Sequence, residues 1–122
     1  FSSYHQKGRI SAIKIKNEFL LKQKLLDSES QIRSHYQLIK ALQKRILAEE
    51  DNAKLAREYY KNMIKEYQRG IKDSGALSSA GDQLTEIDEK VYELKNLYIQ
   101  SKLSLELILN RPVIFKNYVH RN

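Results

Sequence analysis

Arg69-Gly70-Ile71-Lys72-Asp73-Ser74-Gly75-Ala76-Leu77-Ser78-Ser79-Ala80-Gly81-Asp82 gathers three of the chain's four glycines and three serines into one short stretch. The sequence on either side runs in apolar patterns of helical period, so a helix must end here and another begin. Gly70 suits the left-handed backbone of a helix C-terminus, and Lys65 and Arg69 place positive charge in the last turn, where the helix dipole is negative. The second helix is expected to be capped somewhere from Ser78 to Asp82.

Working upstream, every seventh residue from Leu25 gives Leu25, Ile32, Ile39, Ile46, Ala53, Tyr60 and Tyr67, an unbroken apolar or aromatic row. The companion row, Ser28, His35, Leu42, Glu49, Ala56 and Met63, is mixed. Ile10, Ile13, Ile15, Phe19, Leu20 and Leu21 extend the apolar surface toward the start, and neither glycine nor proline occurs between Arg9 and Gln68. Downstream, Leu84, Val91, Tyr98 and Leu105 form one row, with Ile87, Leu94, Ser101 and Ile108 beside it. Two seam-bearing helices joined by a short connection become antiparallel neighbours.

The expected fold is therefore all-α, a long coiled-coil-like helical hairpin with short extended segments at both ends. Residues 1–9 form an extended approach, 10–68 a long helix, 69–81 the turn, 82–110 a return helix, and 111–122 an extended tail. Led by the only proline, Pro112, and rich in β-branched and aromatic residues, that tail reads as a short edge strand. At 1.5 Å per residue the arms measure roughly 88 Å and roughly 45 Å. Paired from the turn outward, the return helix reaches only to about Leu38, so other helices must cover the face from Ile10 to Tyr36. Both ends read as though cut from something larger.

Composition excludes several classes. No run approaches the roughly 20 apolar residues of a membrane-spanning helix. The 122 residues include no cysteine, which removes disulfide frameworks and thiolate metal sites. A net charge of +7 would favour nucleic acid, but acidic residues are interleaved with the basic ones and no compact run tracks phosphates; nucleic acid is not expected as a partner. His5, His35 and His120 are too dispersed for a metal motif, the glycines form no phosphate loop, and Ser78 and Ser79 have no histidine base nearby. The expected sets of catalytic, cofactor-binding and metal-binding residues are empty. Glu49-Glu50-Asp51, followed by Lys54 and Arg57, supplies charge pairs on an exposed face. Tyr60, Tyr67 and Tyr98 fall on heptad rows, which assigns them to packing rather than to stacking on bases.

One pattern is more specific. Ala56, Tyr59 and Tyr60 precede Tyr67-Gln68-Arg69-Gly70-Ile71, which is followed by Leu77, Leu84 and a leucine-rich return ending Leu107-Ile108-Leu109-Asn110. This resembles the TolC-like outer-membrane efflux family, whose members carry a Tyr-x-x-Gly-hydrophobic turn between a long descending helix and a shorter returning one. Tyr67, Gly70 and Ile71 fit that turn, and Phe1-Ser2 with Gly8-Arg9 is similar to the family's approach to its long helix. The likeness runs from about Phe1 to Asn110 and corresponds to one repeat half. The chain departs from the pattern at Ala76, where the family often has an aspartate, and at Asn110, where it has a glycine.

The resemblance implies a non-enzymatic part of a homo-trimeric channel for efflux or type I secretion. Its helices would form a periplasmic tunnel, and strands not present in this chain would form a barrel in the outer membrane. The turn would face a periplasmic adaptor protein. Tyr67, Gly70, Ile71 and Lys72 are then the expected tip, Gly70 setting the turn and the others presenting groups to the adaptor or to neighbouring tips. Tyr67 reads equally well as the last residue of its heptad row. The residues on their own also fit a soluble coiled-coil scaffold or tether that self-oligomerises.

Overall fold

The computed structural model describes residues 2–115, with side chains from Gln6 to Phe115. It consists of two helices, α1 (Ser2–Gln68, 67 residues) and α2 (Ser74–Leu109, 36 residues). At 1.5 Å per residue they are about 100 Å and about 54 Å long. Tyr60 lies against Gly81, Arg57 pairs with Asp88, Glu50 with Lys95, and Tyr36 stacks near Phe115. Numbers falling along one helix meet numbers rising along the other, which makes the hairpin antiparallel.

The seam follows the heptad rows. Ile39, Leu42 and Ile46 from α1 meet Leu94, Tyr98 and Leu105 from α2 in the central cluster, and Ile39 and Ile46 are completely enclosed. Burying each of those side chains contributes about 1.5–3 kcal/mol. Toward the tip the core narrows to Ala53, Met63 and Ala80. A Cβ on Gly81 would stand 3.3 Å from Cε2 of Tyr60, so small residues let the helices close up there. Toward the other end of α2, Ile108 is 36% exposed, whereas Leu109 packs on the cluster. A seven-residue repeat drifts by about 20° per heptad on a 3.6-residue helix, which passes the inward position from one residue to the next.

Ion pairs flank this seam. Lys95 reaches Glu50 at 2.8 Å, Arg57 reaches Asp88 at 3.2 Å and Lys90 reaches Glu49 at 3.4 Å. Glu49 and Glu50 thus tie the two helices together instead of only solvating an outer face.

Three segment boundaries differ from the sequence reading. The expected extended approach is helical from Ser2 onward, so Gly8, which costs a helix only about 1 kcal/mol, does not end it. α2 begins at Ser74, eight residues before the expected start at residue 82. Asp73 caps it, its Oδ1 accepting the Ala76 N–H at 2.8 Å, and the glycine- and serine-rich stretch after it is helical from its first residue.

At the far end, residues 111–115 form no strand but a strap folded back on the helices. Asn110 adopts the left-handed conformation (φ 53°), and the Arg111 N–H donates to the Glu106 carbonyl at 3.2 Å. The Glu106 carboxylate then accepts the Val113 N–H at 3.3 Å. Val113 and Phe115 pack on the core cluster. The rest of the expected edge strand, residues 116–122, lies outside the described residues.

Candidate functional site

The four residues expected at the tip are brought together there by a network of backbone hydrogen bonds. Gly70 turns at φ 76°, its N–H donating to Tyr67 O at 3.0 Å, while the Ile71 N–H donates to Glu66 O at 2.9 Å. This is the double bond of a Schellman helix terminus, which occupies carbonyls that the ending helix would otherwise leave open. Lys72 adds a longer bond to the same Glu66 carbonyl at 3.3 Å. Asp73 then starts α2, so Arg69–Asp73 forms a tight link with both of its helix ends capped.

In such a terminus the residue after the glycine usually rests against the helix it has left. Ile71 is instead 64% exposed, beside Tyr67 at 44%. Lys72 is exposed too, and Lys65, Arg69, Glu66 and Asp73 surround the group. The tip thus presents an isoleucine, a tyrosine edge and mixed charge on a fixed backbone. This arrangement can make a contact with another surface.

Among the described side chains, the remaining candidates for chemistry do not converge. Ser78 and Ser79 are on the first turns of α2, not in a loop, and His35 is half-buried in the seam. The side chains of His5 and His120 lie outside the described residues. Among the described residues no group of three His, Cys, Asp or Glu side chains could hold a metal ion.

Two features escaped the sequence reading. One is the strap. It sets Phe115 6.1 Å from Tyr36 and 6.4 Å from Tyr98 between ring centroids, with Lys40 Nζ 5.6 Å from the Tyr36 ring and 5.8 Å from that of Phe115. A groove of about 540 Å³ runs beside it between Ile32, Tyr36, Leu109 and Val113. Arg33 at its rim is paired with Glu29 at 3.0 Å. Pro112, two residues after Asn110, was the available signal, since an asparagine followed closely by a proline marks a chain that leaves the helix at that point.

The second feature is a row on the back of α2. Tyr92, Ile99, Leu103 and Leu107 are 68%, 52%, 53% and 82% exposed, and at 100° per residue they lie about half a turn from the buried row. Apolar residues at spacings of seven, four and four were present to be read, but the stronger inward row masked them.

Beyond the end of α2 no other described element packs on the long helix up to about Asp27. Eight large apolar side chains from Ile10 to Leu26 are 49–67% exposed. They divide between two faces roughly half a turn apart: Ile15, Phe19 and Leu26 on one, Ile10, Ile13, Leu20, Leu21 and Leu25 on the other. Among the described residues no helix is long and apolar enough to cross a membrane. In comparisons with known proteins, no family model, no curated protein and no solved structure matches this chain.

Proposed function

We propose that this chain is a non-enzymatic structural element of a TolC-like outer-membrane export channel, forming part of the periplasmic tunnel wall and ending in an adaptor-docking tip. The observation that carries the reading is the two-sided arm. A helix that pairs with one partner needs one apolar stripe. Opposite apolar faces suit a helix held between two neighbours, as in the wall of a tube. At the other end of the same hairpin the capped link presents Tyr67, Ile71 and Lys72 around Gly70. That is a small, fixed surface of the kind a protein partner could grip.

In this reading the work is mechanical and steric. The hairpin seam supplies stiffness, the arm supplies lateral contacts within a trimer, and the tip supplies the junction to the adaptor. A soluble scaffold or tether that self-oligomerises is the second reading, favoured by the exposed back row of α2, which offers a further helix contact without any channel. Fractionating cells that produce the full-length gene product separates them. The channel reading expects the chain in outer-membrane fractions as a trimer, and recovery in the soluble fraction of the cytosol would sink it.

A further inference from the structure

We infer that neighbouring copies of this chain join through a second seam on the outside of the hairpin. The copies stand side by side and point the same way, and the back row of α2 in one packs on an outer row of α1 in the next. Side-chain size is the first argument. α2 carries Thr85, Tyr92 and Ile99 at heptad spacing on its exposed back. α1 carries Ala41, Ala48 and Leu55 at the same spacing, all exposed and about half a turn from its buried Ile39 and Ile46. Within one hairpin Gly81 meets Tyr60 and Lys90 meets Glu49. Copies related by rotation about an axis along the hairpin stay at one height, so the α2 of one copy meets the α1 of the next at those same levels. Thr85 then faces Leu55, Tyr92 faces Ala48 and Ile99 faces Ala41. A large side chain stands opposite a small one at every level, and the order reverses at Leu55, where α2 turns small. Large against small across facing positions is how helix surfaces interlock.

Charge is the second argument. The lysines of α2 are already engaged, Lys90 with Glu49, Lys95 with Glu50 and Lys102 with Glu106. Its outer side therefore presents Glu86, Glu89 and Glu93, all exposed. On the outer side of α1, Lys44 and Arg45 are exposed. In the register that sets Tyr92 against Ala48, Arg45 stands within about 3 Å of the level of Glu93 and on the same flank of the contact.

The two rows lie on opposite sides of the hairpin, so the contact is heterologous. Each copy offers α2 to one neighbour and α1 to the other, and rotation closes such a contact into a ring. Both rows lie inside the hairpin, between Ala41 and Ile99, so the match does not depend on either end of the chain. The parallel arrangement rests on the channel reading, in which the arm supplies lateral contacts. The pairing of rows goes beyond it and fixes which face meets which, and at what height.

Disulfide trapping in cells that produce the full-length gene product reads the pairing directly, because these 122 residues supply no competing cysteine. Two differently tagged copies, one with Ala41→Cys and the other with Ile99→Cys, should oxidise to a heterotypic dimer. Either substitution alone should give none, since equal positions on neighbouring copies stand about 20 Å apart, two helix spacings. Ala41→Cys with Thr85→Cys, roughly 20 Å off level, should give none either. A homotypic link through Ile99→Cys, or the absence of the heterotypic one, would overturn the pairing. Ala48→Tyr sets tyrosine against Tyr92 and should slow the Ala41 to Ile99 link about fivefold or more. Tyr92→Ala in the same chain should restore it, and a block without rescue would refute the match of sizes. Both positions are exposed in the hairpin, and circular dichroism checks that helicity is unchanged. Outer-membrane trimers without the Ala41 to Ile99 link would keep the channel reading and overturn this pairing, whereas the link in a cytosolic oligomer would do the opposite.

Discussion

At Gln43 the described part of the core contains one misfit. The residue is 6% exposed, and its Nε2 is buried with no hydrogen-bond partner. It sits beside the central cluster of Ile39, Leu42, Ile46 and Leu94. A buried amide donor without a partner costs about 1–3 kcal/mol relative to one left in water. An apolar side chain of similar length removes that cost and keeps the volume. Gln43→Met is therefore expected to raise the unfolding free energy by about 1 kcal/mol, read as a higher urea midpoint at unchanged slope. A lower midpoint would mean that the amide finds a partner after all. The opposite case is Gly70, whose positive φ belongs to a conformation that other residues enter only with strain. Its role was readable because a glycine standing where one apolar period stops and another starts marks a helix C-terminus. Gln43 was not, since a glutamine next to a heptad row looks like an ordinary solvated flank until the drift of the seam carries it inward.

For the helices, the informative contrast lies within α1. Chemically it is one unbroken helix from Ser2 to Gln68, yet among the described residues only the part from about Ser28 onward is packed against anything in the hairpin. Packing of an apolar face, more than propensity, holds most helices together. In a monomeric sample, amides from Gln6 to Asp27 should exchange with solvent at least about tenfold faster than those from Ile39 to Met63. Mass spectrometry of peptic fragments measures this, and uniform protection along α1 would contradict the division. The sequence expressed the heptad row from Leu25 to Tyr67 without a break, but a row states that a face is apolar and not that a partner is present. Hence Ile39 and Ile46 are enclosed while Leu25, on the same row, is 62% exposed. The early start of α2 was hidden for a related reason. Glycine and serine in Ser74-Gly75-Ala76-Leu77-Ser78-Ser79 suggest a loop by propensity, yet the Asp73 cap makes that stretch helical. The strap depended on a bond between the Glu106 carboxylate and the Val113 N–H, which no periodic pattern expresses.

Considered whole, the molecule is a stable hairpin with an arm attached, and the two parts should separate. Among the described residues every buried side chain lies between Ile39 and Leu105, the cross-helix ion pairs lie between Glu49 and Lys95, and the strap closes the open end around Tyr36. None of these contacts depends on residues before Ile32. A chain beginning at Glu29 should therefore keep one cooperative melting transition, shifted by no more than a few degrees, because the surface buried on folding the hairpin is nearly unchanged. Its self-association should be lost, since the removed arm carries the eight large, solvent-exposed apolar side chains from Ile10 to Leu26 and a strongly basic stretch. Calorimetry and sedimentation on the same sample test the two halves of this statement independently. A truncated chain that still associates would place the interface on the back of α2 or at the tip instead of the arm. One that melts far earlier would show that the arm supports the hairpin through contacts beyond the seam.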